Sequence, residues 1–175
     1  MIRNLRFTLI CRRHCDEIYR YARSILGHAA DAEDAVQEVL LRLWHHLGEV
    51  RSSKARAWLY RTTRNHCLDV LRRRARVEAV VMIGGGEMEA LADGGCGEPD
   101  LAVDADSLRR RMDAALQALP HNLRSVFVLY EVNGLRYREI AEHLDIPINS
   151  VKVHLLRARK RLQELLRKEK LWMTP

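Results

Sequence analysis

Apolar side chains recur at helical spacing along most of this chain. Between Cys15 and Leu26 they fall at Ile18, Tyr21, Ala22, Ile25 and Leu26, and Gly27 follows where a C-terminal cap belongs. Asp31 is an expected N-cap, with Glu33 and Asp34 adding favourable negative charge to the first turn of a second helix reaching about Leu47. That helix carries one apolar stripe of Val36, Val39, Leu40, Leu43 and Leu47; its other side shows Asp34, Gln37, Glu38, Arg42 and His45, with Leu41 among them. After a Glu49 to Lys54 loop, a third helix is predicted from Ala55 to about Arg74. It buries Leu59, Thr63, Cys67, Val70 and part of Trp58 and turns Arg61, Arg64, Asn65, Leu68 and Arg72 outward.

The pattern stops at residues 77–107, where Gly84 to Gly86, Gly94, Gly95, Gly97 and Pro99 interrupt a stretch with little periodic apolar content. Such a segment cannot bury enough surface to offset the entropy of ordering it, so it reads as a flexible tether. Periodicity resumes with Leu108, Met112, Ala115, Leu116 and Leu119, a helix that Pro120 stops. A second helix from Leu123 to Val132 ends at Asn133-Gly134. A short helix from about Arg136 to Leu144, a tight Asp145-Ile146-Pro147 turn and a long helix from about Ile148 to Lys168 complete the chain. No strand pattern competes. The expected fold is all-α: two small helical domains, 1–76 and 108–175, held apart by the 77–107 linker.

Charge sharpens this division. Lys and Arg against Asp and Glu number 16 to 8 in residues 1–76, none to 8 in 77–107, and 14 to 7 in 108–175, within a net charge of +7 over 175 residues. Two basic modules flank an acidic tether, which points to a polyanionic partner. Four cysteines, Cys11, Cys15, Cys67 and Cys96, have neither the density nor the spacing of a disulfide framework, which fits a reducing cytoplasm. The early apolar run Phe7 to Cys11 is cut by Arg12 and Arg13. It is too short for a signal-peptide core or a membrane span, so a cytoplasmic location without direct membrane insertion is expected.

Tyr137 to Arg161 has the layout of a helix-turn-helix. Ile140, Ala141 and Leu144 form the buried side of its first helix, and Val151, Leu155, Ala158, Leu162 and Leu165 that of the second. Asn149, Lys152, Val153, Leu156, Arg157 and Lys160 are left outward, as on a helix that offers its N-terminal half to base edges and its cations to phosphates. Alone, the motif says only that the chain binds DNA, and a small helical bundle with a solvated basic face remains the plainer alternative.

The first module narrows the class. Asp34 to Trp44 with Gln37 and Glu38, then Ala57 to Asn65 and Asp69 to Arg74, resemble region 2 of the extracytoplasmic-function sigma factors, the group IV factors of bacterial RNA polymerase. Leu119-Pro120 through Arg161, with Arg138 to Leu144 and Ser150 to Lys152, resembles region 4 of the same family. The resemblance implies a factor that binds core polymerase and directs promoter recognition, melting of the -10 element and initiation, with no catalytic chemistry and no cofactor of its own.

By that resemblance Asp34, Gln37, Glu38, Leu41 and Arg42 meet the clamp helices of the largest polymerase subunit, and region 4 meets the flap of the second-largest. Arg51, Ser52, Ser53, Lys54, Arg61, Arg64, Asn65 and Arg72 meet the opened -10 strand; Arg138, Asn149, Ser150, Lys152, Val153, Leu156, Arg157 and Lys160 meet the -35 duplex. Promoter DNA and an anti-sigma factor are the further partners implied. Asn149 for a usual glycine, Val153 for a small polar residue and His154 for a basic one depart from the common pattern, so the promoter sequence read is left open.

Other chemistry is weakly signalled. Cys11, His14 and Cys15, or His66 and Cys67, match no common zinc spacing, and no metal site is expected. Gly84 to Gly86 lacks the Lys-Ser/Thr of a phosphate loop. A helix-turn-helix regulator acting without polymerase is the main rival. A recombinase or nuclease would need a catalytic constellation that the scattered carboxylates do not supply.

Overall fold

The computed structural model describes residues 2–83 and 103–172, all of whose regular structure is helical. In the first half, α1 (Ile2–Leu26) and α2 (Ala29–His46) are joined by Gly27, whose φ of +85° is the left-handed conformation a tight reversal needs and a side chain would strain. A single helical turn of 3-10 type (Ser52–Lys54) then leads into α3 (Ala55–Ile83). In the second half come α4 (Val103–Gln117), α5 (His121–Phe127), a π-helical continuation (Val128–Val132), α6 (Tyr137–Leu144) and α7 (Ile148–Trp172).

Several boundaries differ from expectation. His28, not Asp31, is the N-cap of α2 and makes no side-chain capping bond; Asp31 instead lies in the first turn and pairs with Arg74 of α3. The α1 helix begins long before Cys15. Both ends of the expected tether are helical, at 77–83 and 103–107, because helix propensity outlasts the loss of an apolar face. The remaining tether positions, with Cys96, lie outside the described residues.

Three clusters hold the helices. Ile10, Ile18, Val39, Leu43, Leu47, Val50, Ala55 and Leu59 pack α1, α2 and α3 together, as the period predicts, with Phe7, Val36, Leu40 and Trp58 around them. Ala115, Leu116, Leu119, Ala158 and Leu162 join α4 to α7. The third cluster is shared between the halves. Tyr21, Ile25, Leu26, Tyr60 and Cys67 from the first half meet Val126, Leu129, Leu135, Ile140, Val151 and Leu155 from the second. The two modules therefore lie against each other along an apolar seam rather than at a distance. Each large side chain fully buried there, such as Tyr60 or Ile140, contributes roughly 1.5–3 kcal/mol.

Polar groups complete the seam. The last carbonyls of α1 lack intrahelical partners, and the second half supplies them. Arg124, only 3% exposed, donates to Ile25 O at 2.6 Å and to Leu119 O at 3.1 Å, and also bonds Gln117 through its side chain at 2.6 Å and its carbonyl. Gln117 donates in turn to Ser24 O at 2.9 Å. A buried cation is favoured at a helix C-terminus, although desolvation lowers its pKa. Asn133, at the end of the π-helical turn, donates to Glu17 O and to the Tyr60 hydroxyl, each at 3.0 Å.

Candidate nucleic-acid interface

The helix-turn-helix forms as expected. Glu139 in the first turn of α6 accepts from the Arg136 N–H at 2.8 Å, one arm of a capping box, and Asp145 ends the helix at φ 57°, a conformation Asp tolerates. Ile140 and Leu144 of α6 and Val151, Leu155, Ala158 and Leu162 of α7 are buried. Their burial leaves Arg138, Asn149, Lys152, Arg157 and Lys160 exposed, Ser150 half-buried, and Val153 and Leu156 at 43% and 70% exposure. Arg138 and Lys152 flank one shallow groove with Tyr137 and Ile148.

The corresponding surface of the first half is arranged differently. Arg51, Ser52, Ser53 and Asn65 are exposed, as expected. Lys54 is paired with Glu142 of α6. Arg61 donates to Glu142 O at 3.3 Å and lies 3.8 Å from the Asp145 carboxylate. Arg72 bonds Asp69 of its own helix at 3.0 Å. Arg64, read from the sequence as outward, is half-buried, its Nε is enclosed without a hydrogen-bond partner, and it lies near His121 of the second half, whose pKa is lowered first by burial and then by the charges of Arg124, Arg72 and Arg64. The periodicity of α3 missed this because the second half covers a side of the helix that the first half leaves bare.

Beside these lie residues with no signal in the sequence. Arg56 bridges Glu17 at 2.9 Å and Glu139 at 3.2 Å. His143, 4% exposed, stacks on Tyr60 with centroids 5.0 Å apart and planes inclined by 22°. Burial first, then the nearby Arg56 charge, pushes its pKa down to about 4 against the opposing pull of Glu139, Glu142 and Glu17. The imidazole is therefore neutral at neutral pH.

On α2, Asp34, Gln37 and Arg42 are exposed, Glu38 bonds Arg42 at 2.9 Å, and Leu41 is 58% exposed. Gln37 and Leu41 line an apolar groove with Leu40, Trp44 and Phe7, the last two in edge-to-face contact at 5.2 Å. Phe7 joins this surface although in the sequence it shows only as part of a short apolar run cut by Arg12 and Arg13. A second apolar groove, between α4 and α7, is floored by Leu108, Met112, Phe127, Leu162 and Leu166. Cys11 and Cys15 sit one turn apart, and burial raises both thiols, Cys11 to about 11; Cys67 is pushed up to about 12. Among the described residues no three potential ligands gather around a metal position, and no helix is long and apolar enough to cross a membrane.

Residues 10–77 match the family model for Sigma-70 region 2, and residues 109–162 that for Sigma-70 region 4. The chain is 32% identical to the RNA polymerase sigma-H factor of Pseudomonas aeruginosa over 86% of each chain, and 30% identical to the ECF sigma factor SigW of Bacillus subtilis over 87% of this chain and 84% of that one. The chain belongs to the extracytoplasmic-function sigma factors. It is also 30% identical to the ECF sigma factor SigE of Mycolicibacterium smegmatis, covering 91% of this sigma factor but 61% of that longer relative. Among solved structures, the sigma factor RpoE of Bartonella quintana in complex with the anti-sigma factor NepR matches 92% of this sigma factor and 96% of that chain, at 27% identity and a TM-score of 0.69. CnrH in complex with the cytosolic domain of CnrY matches at 25% identity and a TM-score of 0.68, over 93% and 88%. Regions 2 and 4 fall on the two halves described above.

Proposed function

We propose that this sigma factor carries core RNA polymerase to promoters by four separate surfaces, with the bond-making chemistry left to the polymerase. The observation that carries this reading is the exposed recognition face of α7, built on the same chain as a region 2 whose α2 presents Leu41 in an apolar groove among charged neighbours. Asp34, Gln37, Glu38, Leu41 and Arg42, with Phe7 and Trp44 beside them, take the clamp helices of the largest subunit. The α4–α7 groove takes the flap of the second-largest subunit. Arg138, Asn149, Ser150, Lys152, Val153, Leu156, Arg157 and Lys160 read the -35 duplex, where Leu156 and Val153 offer apolar contact to thymine methyl groups.

Arg51, Ser52, Ser53, Lys54, Arg61, Arg64, Asn65 and Arg72 hold the opened -10 strand: cations follow its backbone and the Asn65 amide can bond a base edge. Capture of the unstacked strand drives melting without nucleotide hydrolysis. An anti-sigma partner of the kind bound in the two similar structures would act by covering the α2 groove and the α4–α7 groove. The test is run-off transcription with core polymerase on a promoter library. Specific starts that need this chain, and that fall at least tenfold in Gln37→Ala with Leu41→Ala at limiting polymerase, are expected. Sequence-specific DNA binding in the absence of polymerase, with start sites unaltered in its presence, would overturn the reading in favour of an ordinary regulator.

A further inference from the structure

Helix α6 is a helix with two charged sides. Arg138 points outward with the -35 surface, whereas Glu139, Glu142 and Asp145, spaced three residues apart, all meet cations of region 2. Their partners are Arg56, Lys54 and Arg61, on the turn before α3 and its first two turns. Lys54 and Arg61 are both assigned above to the -10 strand, and the backbone carbonyl of Glu142 occupies Arg61 further. Carboxylates set in a row along one side of a helix repeat the chemistry of a strand of phosphates: negative oxygens spaced to satisfy successive cations.

From this we infer that α6 acts as an internal substitute for the -10 strand, so that the closed sigma factor withholds its melting surface from DNA until region 4 swings away. The inference rests on the assignment of Lys54 and Arg61 to that strand. Exposed ion pairs of this sort are individually weak and screened by salt, so they cannot hold the halves together. The apolar seam, with Arg124 and Asn133 bonded across to α1, does that. The carboxylates decide what the enclosed cations touch. While they are engaged they leave no counterions to release, and counterion release is the main source of affinity for a phosphate backbone. Region 4 meanwhile keeps its own recognition face uncovered. The withheld surface is thus the one that acts on opened DNA, and the available one is the one that acts on duplex.

The test uses the full chain and a labelled, random-sequence single-stranded 12-mer at low salt. Glu139→Gln with Glu142→Gln removes two carboxylates while Gln at position 139 keeps the capping bond to Arg136. We expect roughly tenfold tighter binding than wild type, falling toward wild type with added salt. Glu33→Gln with Glu164→Gln makes the same change of charge at exposed positions on α2 and α7 and should leave binding within about twofold. Adding Lys54→Ala and Arg61→Ala to the first pair should abolish its gain. Equal gains from both neutralised pairs, or no gain from the first while Lys54 and Arg61 are still needed for binding, would overturn the substitution and leave the strand assignment standing. Indifference of every variant to Lys54 and Arg61 would overturn the strand assignment and, with it, the inference.

Discussion

The two basic surfaces proposed to meet DNA in this sigma factor are built from similar side chains and meet opposite fates. On α7, Lys152, Arg157 and Lys160 stand on a helix that packs on α4, α5 and α6 of its own region, and its outer side is exposed. Lys54 in the turn before α3, and Arg61 and Arg64 on α3, belong to a segment whose packing is finished only by region 4, so that their neighbours include Glu142, Asp145 and His121. The same residue types are available in one place and occupied in the other. What separates them is not local charge but which helix needed a partner from the other half.

The largest way to break this contrast is to remove the bond network that spans the seam. Arg124→Ala strands the carbonyls of Ile25, Leu119 and Gln117, so unfolding in urea should show a loss of about 3–5 kcal/mol together with opening of the seam. A change under about 1 kcal/mol would mean that the network does not join the halves.

The open surface can be sharpened next. Arg157→Ala should cost about 1–3 kcal/mol at one position of the -35 element in a promoter-variant series, whereas Lys160→Ala should weaken all promoters alike and flatten the salt dependence by about one ion. Uniform losses from both variants would remove Arg157 from base reading.

A subtler effect concerns pH. His143 has a pKa of about 4 in the closed arrangement, against 6.5 when solvated. Because the enclosed pKa is the lower one, its contribution to closure is fully present above 6.5 and is lost as the pH falls toward 4. Between pH 7.5 and 5.5 the ratio of closed to open chain should fall about tenfold, or about 1.4 kcal/mol. Hydrogen exchange of amides along the seam would read it, and His143→Gln should flatten the dependence. The charged groups that face the ring are Arg56, Glu139, Glu142 and Glu17.

The smallest expected effect lies on the open side. Arg159 pairs with Glu131 at 2.6 Å and lies over the Tyr130 ring, but the pair is half exposed. Glu131→Gln should change stability by less than about 1 kcal/mol in a thermal melt. A larger loss would show that α7 depends on more than its apolar side.

Much of this was legible in the sequence. The stripes of α2 and α7, the glycine after α1 and the turn before α7 follow from period and local backbone chemistry, because those elements bury their apolar sides within their own module. The outward set of α7 was recovered in full for that reason. Arg64, Tyr60, His143 and Arg124 were not legible, since each owes its burial to a residue at least 73 positions away, or to the closing of the halves around it. An arginine in a basic chain gives no sign that it will cap another helix rather than meet solvent.

The order of residues alone determined that the chain is helical and which family its two motifs resemble, since these depend on contacts a few residues apart and on motifs read in line. Only the tertiary structure decided that the modules share a core and that Lys54 and Arg61, proposed to meet the -10 strand, are already paired across it. Charge pairing between distant helices is set by how apolar surfaces happen to meet, and linear spacing carries no record of that meeting.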